Sequence, residues 1–137
     1  MTDKPTRGRP RRVEADAAII EAARNLLREG GYRALSLDEV ARRAGTAKTS
    51  IYRRWPSKAA LAAEIVQREV PPPSANREQA FEELLNGPFG GVVASLIGEA
   101  QENDDTRAIV VALIAPYREQ AADQLLGPIL FRRLLGS

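Results

Sequence analysis

Ser36-Leu37-Asp38-Glu39-Val40-Ala41-Arg42-Arg43-Ala44-Gly45-Thr46-Ala47-Lys48-Thr49-Ser50-Ile51-Tyr52-Arg53-Arg54-Trp55-Pro56-Ser57-Lys58 is the stretch whose reading decides the fold. Ser36 and Glu39 have the spacing of a capping box, in which the serine hydroxyl accepts from the Glu39 N–H and the glutamate carboxylate reaches back. Leu35 and Val40 stand at the positions of a hydrophobic staple. The pattern predicts a helix from Leu37 to about Ala44 that buries Leu37, Val40, Ala41 and Ala44 and turns Arg42 and Arg43 outward. Gly45 ends it by supplying the left-handed conformation of a tight turn. A second short helix follows over residues 47–54, with Thr46 as its N-cap and only Ala47, Ile51 and Trp55 on a core stripe. Pro56 breaks the chain, and Ser57 caps a helix over residues 58–70 with Ala60, Leu61, Ala62, Ile65 and Val66 on its apolar face.

Helix, glycine turn and short polar helix are the grammar of a helix-turn-helix, which lays its second helix in the DNA major groove. Upstream, Val13, Ile20, Ala23 and Leu27 form one stripe, with Ala17, Ile19 and Leu26 beside it, and predict a helix over residues 13–29 stopped by Gly30-Gly31. Residues 1–12 are polar and basic with Pro5 and Pro10, a composition that predicts a disordered arm. Downstream, Pro71-Pro72-Pro73-Ser74 marks a boundary. Three helical segments are expected after it: residues 77–85, 91–102 and 106–126, the last interrupted by Pro116. The stretch Leu126-Gly127-Pro128-Ile129-Leu130-Phe131 is too apolar for a free tail and is expected to pack on the domain or on a second copy. The domain plan is therefore an arm (1–12), a helix-turn-helix domain (13–58), and a connecting helix with a C-terminal helical domain (59–137). The fold class is all-α.

Composition narrows the function. Hydrophobic residues make up 44% and charged residues 28% of the 137 positions, the balance of a globular protein. Net charge is only +2, but residues 1–70 hold 15 Lys+Arg against 9 Asp+Glu, whereas residues 71–137 hold 5 against 9. A basic front and an acidic back suit a front that meets a polyanion. The chain has neither Cys nor His, which excludes disulfides, thiolate nucleophiles and Cys/His zinc sites. No cofactor and no metal are expected. No apolar run approaches the roughly 20 residues of a membrane span, no secretory signal is visible, and a cytoplasmic location is expected. Glu99, Glu102, Asp104 and Asp105 form an acidic loop without a visible set of partners, so catalytic residues are expected to be none and an enzyme is not expected.

A recognition helix needs small residues to sink into the groove, donors to reach base edges, and flanking groups to hold phosphates. Ala47, Thr49 and Ser50 are small. Lys48, Thr49 and Arg53 are candidate base readers. Tyr52, Arg54 and Lys58 are candidate phosphate clamps, and Thr46 with the start of its helix is a further phosphate donor. In the arm, Arg9, Arg11 and Arg12 are candidates for insertion in an A·T-rich minor groove or for general attraction to the backbone. The competing reading is a helical architectural protein that binds DNA without an effector.

Residues 13–61 resemble the DNA-binding domain of the TetR family of bacterial transcriptional regulators. The match runs through Ile19-Ile20-Glu21-Ala22-Ala23, Leu27, Gly30-Gly31-Tyr32 and Leu35-Ser36-Leu37-Asp38-Glu39-Val40-Ala41. It is most specific from Ala44 to Leu61, with Tyr52 at a position commonly Tyr, Trp55 where Phe is usual, and Lys58 often on a phosphate. Thr46-Ala47 stands where Val-Ser is frequent. The resemblance implies a homodimer on a palindromic operator of double-stranded DNA, acting as a repressor released by a small-molecule effector. The C-terminal helices would then form the dimer interface and the effector pocket. Residues 126–135 resemble a last dimerisation helix, and residues 96–101 an early pocket-lining one. The C-terminal part is about half as long as such ligand domains usually are, and residues 86–91 and 116–123 pass abruptly between segments. Missing segments are therefore expected. No ligand residue is assigned, and Val92, Val93, Leu96, Ile97, Ile109, Val110, Leu113 and Ile114 are read as core or interface.

Overall fold

A computed structural model describes residues 8–70 and 76–117, with side chains from Val13 onward. Among the described residues there is no strand, and seven helices follow one another, so the chain is all-α. They are α1 (Gly8–Gly30), α2 (Leu37–Ala44), α3 (Lys48–Arg54), α4 (Lys58–Glu69), α5 (Arg77–Asn86), α6 (Gly90–Ala100) and α7 (Asp104–Ile114), with 3₁₀ turns at Tyr32–Ala34 and Ala115–Tyr117. The expected boundary at Pro71-Pro72-Pro73-Ser74 and the apolar residues 125–135 lie outside the described residues.

α1 begins at Gly8, so the expected arm does not extend to residue 12. Pro10 is the third residue of the helix. In the first turn its missing N–H has no intrahelical partner to lose, and its fixed φ suits the helix. Residues 1–7 lie outside the described residues. Ile19, Ile20, Ala22, Ala23, Leu26 and Leu27 are buried, whereas Val13, expected on the same stripe, is 61% exposed. The apolar stripe of α1 thus meets the core only in its second half, where the helix packs on α2 and α4.

Half of the capping box forms. Ser36 Oγ accepts from the Glu39 N–H at 3.3 Å, and Leu35 and Val40 are both buried. The Glu39 carboxylate does not reach back. It accepts from Arg42 and Arg43 instead, because two cations on its own face outweigh one neutral N–H. Arg43 also forks onto Glu29 of α1, at 2.8 and 3.0 Å, and so ties the two helices together.

The turn after α2 is closed by two backbone bonds, Gly45 N–H to Arg42 O at 3.3 Å and Thr46 N–H to Ala41 O at 3.0 Å. This is the Schellman pattern, with Gly45 at φ 67°, ψ 37°. Because Thr46 completes that turn, it does not cap α3. The N-cap is Ala47, without a side-chain bond, and Ala47 is exposed rather than on the core stripe. Ile51 and Trp55 are buried, as the sequence pattern predicts.

Ser57 Oγ accepts from the Ala60 N–H at 3.1 Å and starts α4. This helix buries Ala59, Leu61, Ala62, Ala63, Ile65 and Val66 and packs against α1, α6 and α7. At its far end Glu69 accepts from Arg24 at 2.8 Å and Arg28 at 2.9 Å. The same arginines offset the unfavourable placing of a carboxylate at a helix C-terminus. Asn76 and Asn103 cap α5 and α7 through their side chains. The short link before α6 works because of Gly90, where a Cβ would stand 1.9 Å from the Leu85 carbonyl oxygen. α7 ends at Ile114, and Pro116 falls in the 3₁₀ turn that follows. Tyr117 in that turn packs on Phe81 of α5 with ring centres 5.5 Å apart.

Two outcomes follow. Gly45→Ala places a Cβ in a left-handed residue, and the urea midpoint is expected to fall by the equivalent of about 1–2 kcal/mol. The second concerns acid. Hydrogen bonds from Arg42 and Arg43 hold the Glu39 carboxyl at about 2, below its ordinary 4.5. A depressed carboxyl stabilises the fold fully above its unfolded value and loses that contribution as pH falls through the folded one. The urea midpoints of wild type and Glu39→Gln should therefore differ by a constant gap above about pH 4.5 and converge toward pH 2. The group is exposed, so the gap should be small and should shrink with added salt.

Candidate nucleic-acid interface

α3 has only seven residues. Ile51 and Trp55 face the core, and Lys48, Thr49, Tyr52 and Arg53, all exposed, share the other side. Spacing of one, four and five residues brings these four together on one helix face. Tyr52 is 46% exposed, which is unusual for a large aromatic in a chain that buries its tryptophan. Thr46 and Ala47 precede them in the turn, the first half-buried and the second exposed. The structure therefore gathers four of the expected residues, Lys48, Thr49, Tyr52 and Arg53, on one exposed helix face, with Thr46 and Ala47 in the turn that leads into it.

Their electrostatics are partly pre-paired. Lys48 Nζ lies 3.0 Å from Asp38 Oδ1 at the start of α2 and 6.0 Å from the centre of the Tyr52 ring. The hydrogen bond to Asp38 holds the ammonium charged above its ordinary range. Arg53 makes no ion pair among the described residues and keeps its full donor set. Arg54 points elsewhere. Its guanidinium pairs with Asp16 of α1 and lies 5.5 Å from the Trp55 ring centre, so it fastens α3 to α1 rather than joining the outward face.

Lys58 opens α4. Its Nζ stands 4.4 Å above the centre of the Tyr32 ring. The Tyr32 hydroxyl donates to Glu99 Oε1 at 2.8 Å, and burial, together with that bond, pushes the phenol well above its ordinary range. Arg9, Arg11 and Arg12 lie on the first turns of α1, and their side chains lie outside the described residues.

The carboxylates here were invisible as partners in the sequence. Nothing in the sequence pairs Asp38 with Lys48 or Asp16 with Arg54, and only the tertiary fold brings them together. Glu99 belongs to α6, not to a loop without partners. It accepts from both Tyr32 and Thr106. No short-range pattern links positions 32, 99 and 106, so no sequence signal marked them.

Among the described residues a cavity of about 240 Å³ opens between α4, α5 and α7, lined by Val66, Gln67, Val70, Leu84, Ala112, Leu113, Pro116 and Tyr117. Val92, Val93, Leu96, Ile97, Val110 and Ile114 are buried in the core and do not line it. Leu113, read as core, is buried and also forms part of the cavity wall. No helix among the described residues is long and apolar enough to cross a membrane.

Comparison with known proteins agrees with this geometry. Residues 19–65 match the family described as bacterial regulatory proteins, tetR family. YdeS of Bacillus subtilis, named an uncharacterized HTH-type transcriptional regulator, is 46% identical over 55 residues, covering 40% of this chain and 28% of the relative. Rv1556 of Mycobacterium tuberculosis, named in the same way, is 33% identical over 116 residues, covering 81% of this chain and 54% of the relative. Rv2250c of the same organism is 31% identical over 81 residues, covering 54% and 43%. The chain thus spans about half the length, or less, of the curated relatives it matches. The matched segment runs from the buried half of α1, through the turn and α3, to Ile65 in α4, which is the whole of the head that holds the outward face. Through that head, the chain belongs to the TetR family of bacterial regulatory proteins.

Proposed function

We propose that this chain is a sequence-specific DNA-binding transcriptional regulator. The observation that carries this reading is the split of α3: Ile51 and Trp55 held in the core, with Lys48, Thr49, Tyr52 and Arg53 turned outward. A helix fixed from behind in this way can enter a major groove without loosening its own domain. Lys48, Thr49 and Arg53 are the base readers, since lysine and arginine match guanine O6 and N7 and threonine meets bases or a thymine methyl. Tyr52 and Lys58 hold phosphates. Arg54 supports the helix through Asp16.

In the finer reading the protein is a homodimer on a palindromic operator, acts as a repressor, and is released by a small-molecule effector. The cavity between α4, α5 and α7 supports the effector part, because α4 is shared between it and the head. A ligand there would bias DNA binding by preferring one arrangement of α4 over another. The lining is apolar apart from Gln67 and the Tyr117 hydroxyl, which favours a small, largely apolar compound with a hydrogen-bonding group.

Selection of bound duplexes from a random pool, followed by footprinting, tests the reading. The expected result is a palindrome whose half-sites lie about one helical turn, roughly 34 Å, apart or a multiple of it. Equal affinity for selected and random duplexes would refute sequence-specific regulation and favour an architectural role. On the selected site, Tyr52→Ala and Lys58→Ala should weaken binding to all sequences alike. Lys48→Ala and Arg53→Ala should relax preference at particular bases by about 1–3 kcal/mol each. Losses from all four that are equal and blind to sequence would show the roles to be wrongly divided.

A further inference from the structure

Thr106, at the start of α7, is the one buried residue among those described whose side chain is neither aliphatic nor aromatic, at 2% exposure. Its backbone N–H bonds to the Asn103 cap at 2.9 Å, so its position is set by the first turn of α7. Its hydroxyl donates to Glu99 Oε2 at 2.6 Å. The other carboxylate oxygen accepts from the Tyr32 hydroxyl at 2.8 Å, and the Tyr32 ring lies under the Lys58 ammonium at 4.4 Å. Four side chains from α7, α6, the turn after α1 and the start of α4 are thereby joined in one line.

The chemistry of that line runs in one direction. Glu99 and Lys58 make no ion pair among the described residues, so the charge of each is answered through the ring between them. A phenol donating to a carboxylate gains electron density, and a richer ring holds a cation more tightly. The ring occupies one side of the ammonium and leaves its remaining N–H donors to point away. We propose that Tyr32, Glu99 and Thr106 form a positioning relay for Lys58, through which the packing of α6 on α7 sets the grip of the head on a phosphate. The relay rests on the DNA-binding role of Lys58 given above, and it adds a regulatory input at a place separate from the apolar cavity. Any change that draws α7 from α6 removes the hydroxyl from Glu99, weakens the hold on the ring, and frees the lysine to wander.

A double-mutant cycle on the full chain tests it, reading affinity for the selected duplex at several salt concentrations. Lys58→Ala should lower the slope of log K against log salt by about 0.9 per head, the share of one phosphate. Tyr32→Phe and Thr106→Val should each weaken binding roughly threefold in the wild-type background, in the range seen for coupled contacts. Neither should weaken it further once Lys58 is alanine. Thr106→Ser, which keeps the hydroxyl, should restore wild-type affinity. If the losses persist in the Lys58→Ala background, the network is merely structural and the relay is overturned, while the DNA-binding reading stands. A slope untouched by Lys58→Ala also overturns the relay. Wild-type chain that binds no duplex overturns both. Tyr32→Phe removes a single oxygen, so it carries the test if Thr106→Val does not fold.

Discussion

A free helix of seven residues does not persist in water, because the cost of its first turn is not recovered by the few bonds that follow. α3 has that length and lacks a side-chain N-cap, so its order comes from what it is fastened to. Ile51, fully buried, anchors its middle, and Trp55 anchors its end. The Schellman turn at Gly45 fixes the approach, and Ser57 starts the next helix two residues beyond Trp55. Every residue on the outward face inherits its direction from these anchors. The constraint also explains why that face is rich in polar groups. Ile51 and the C-cap Trp55 serve attachment, which leaves Tyr52 as the one large aromatic turned outward.

The charges around α3 show a second economy. Three of the basic residues here are held by carboxylates within the head, Lys48 by Asp38, Arg54 by Asp16, and Arg43 by Glu29 and Glu39, while Arg53 has no such pair among the described residues. Such pairs at a wet surface are weak and screened by solvent, too weak to resist a phosphate. They do limit where the side chains wander, and so reduce the ordering that binding has to supply. Lys48 differs from Arg54 in degree. Its pair is open to solvent on both sides, with Asp38 78% exposed, whereas Asp16 is largely covered and Arg54 also lies against the Trp55 ring. The first is an exchangeable contact and the second a brace.

What the sequence revealed follows from the range of the forces involved. Ser36, Gly45 and Ser57 act on residues within four positions, and each forms the bond that its neighbours imply. The apolar periodicities of α2 and α4 are also local, and their buried faces were legible. Failures arise where two local rules compete or where the partner is distant. Thr46 has the right chemistry for a cap, but the turn after Gly45 claims it first. Glu39 has the right spacing for a capping box, but Arg42 and Arg43 offer it more. Pro10 discourages helix in general, yet not in a first turn. Arg54 looks like its neighbour Arg53, and only the proximity of Asp16, 38 positions away, separates a brace from a reader.

α4 is where head and C-terminal helices become one object. It packs on α1 on one side and on α6 and α7 on the other. Three of its six buried residues are alanine, which lets neighbours approach closely from several directions, and close packing resists independent motion. Glu69 binds its far end to α1 through Arg24 and Arg28, and Lys58 binds its near end to the Tyr32 ring. Both ends of the helix are therefore tied to the α1 side, and its middle is tied to α6 and α7. A push from α7 cannot tilt α4 alone; it must either carry α1 and the attached α3 with it or break one of the end contacts. The near contact is the weaker of the two, since a cation over a ring lacks the paired hydrogen bonds that hold Glu69. On the relay proposed above, displacement of the C-terminal helices is therefore felt first at Lys58, where α4 begins.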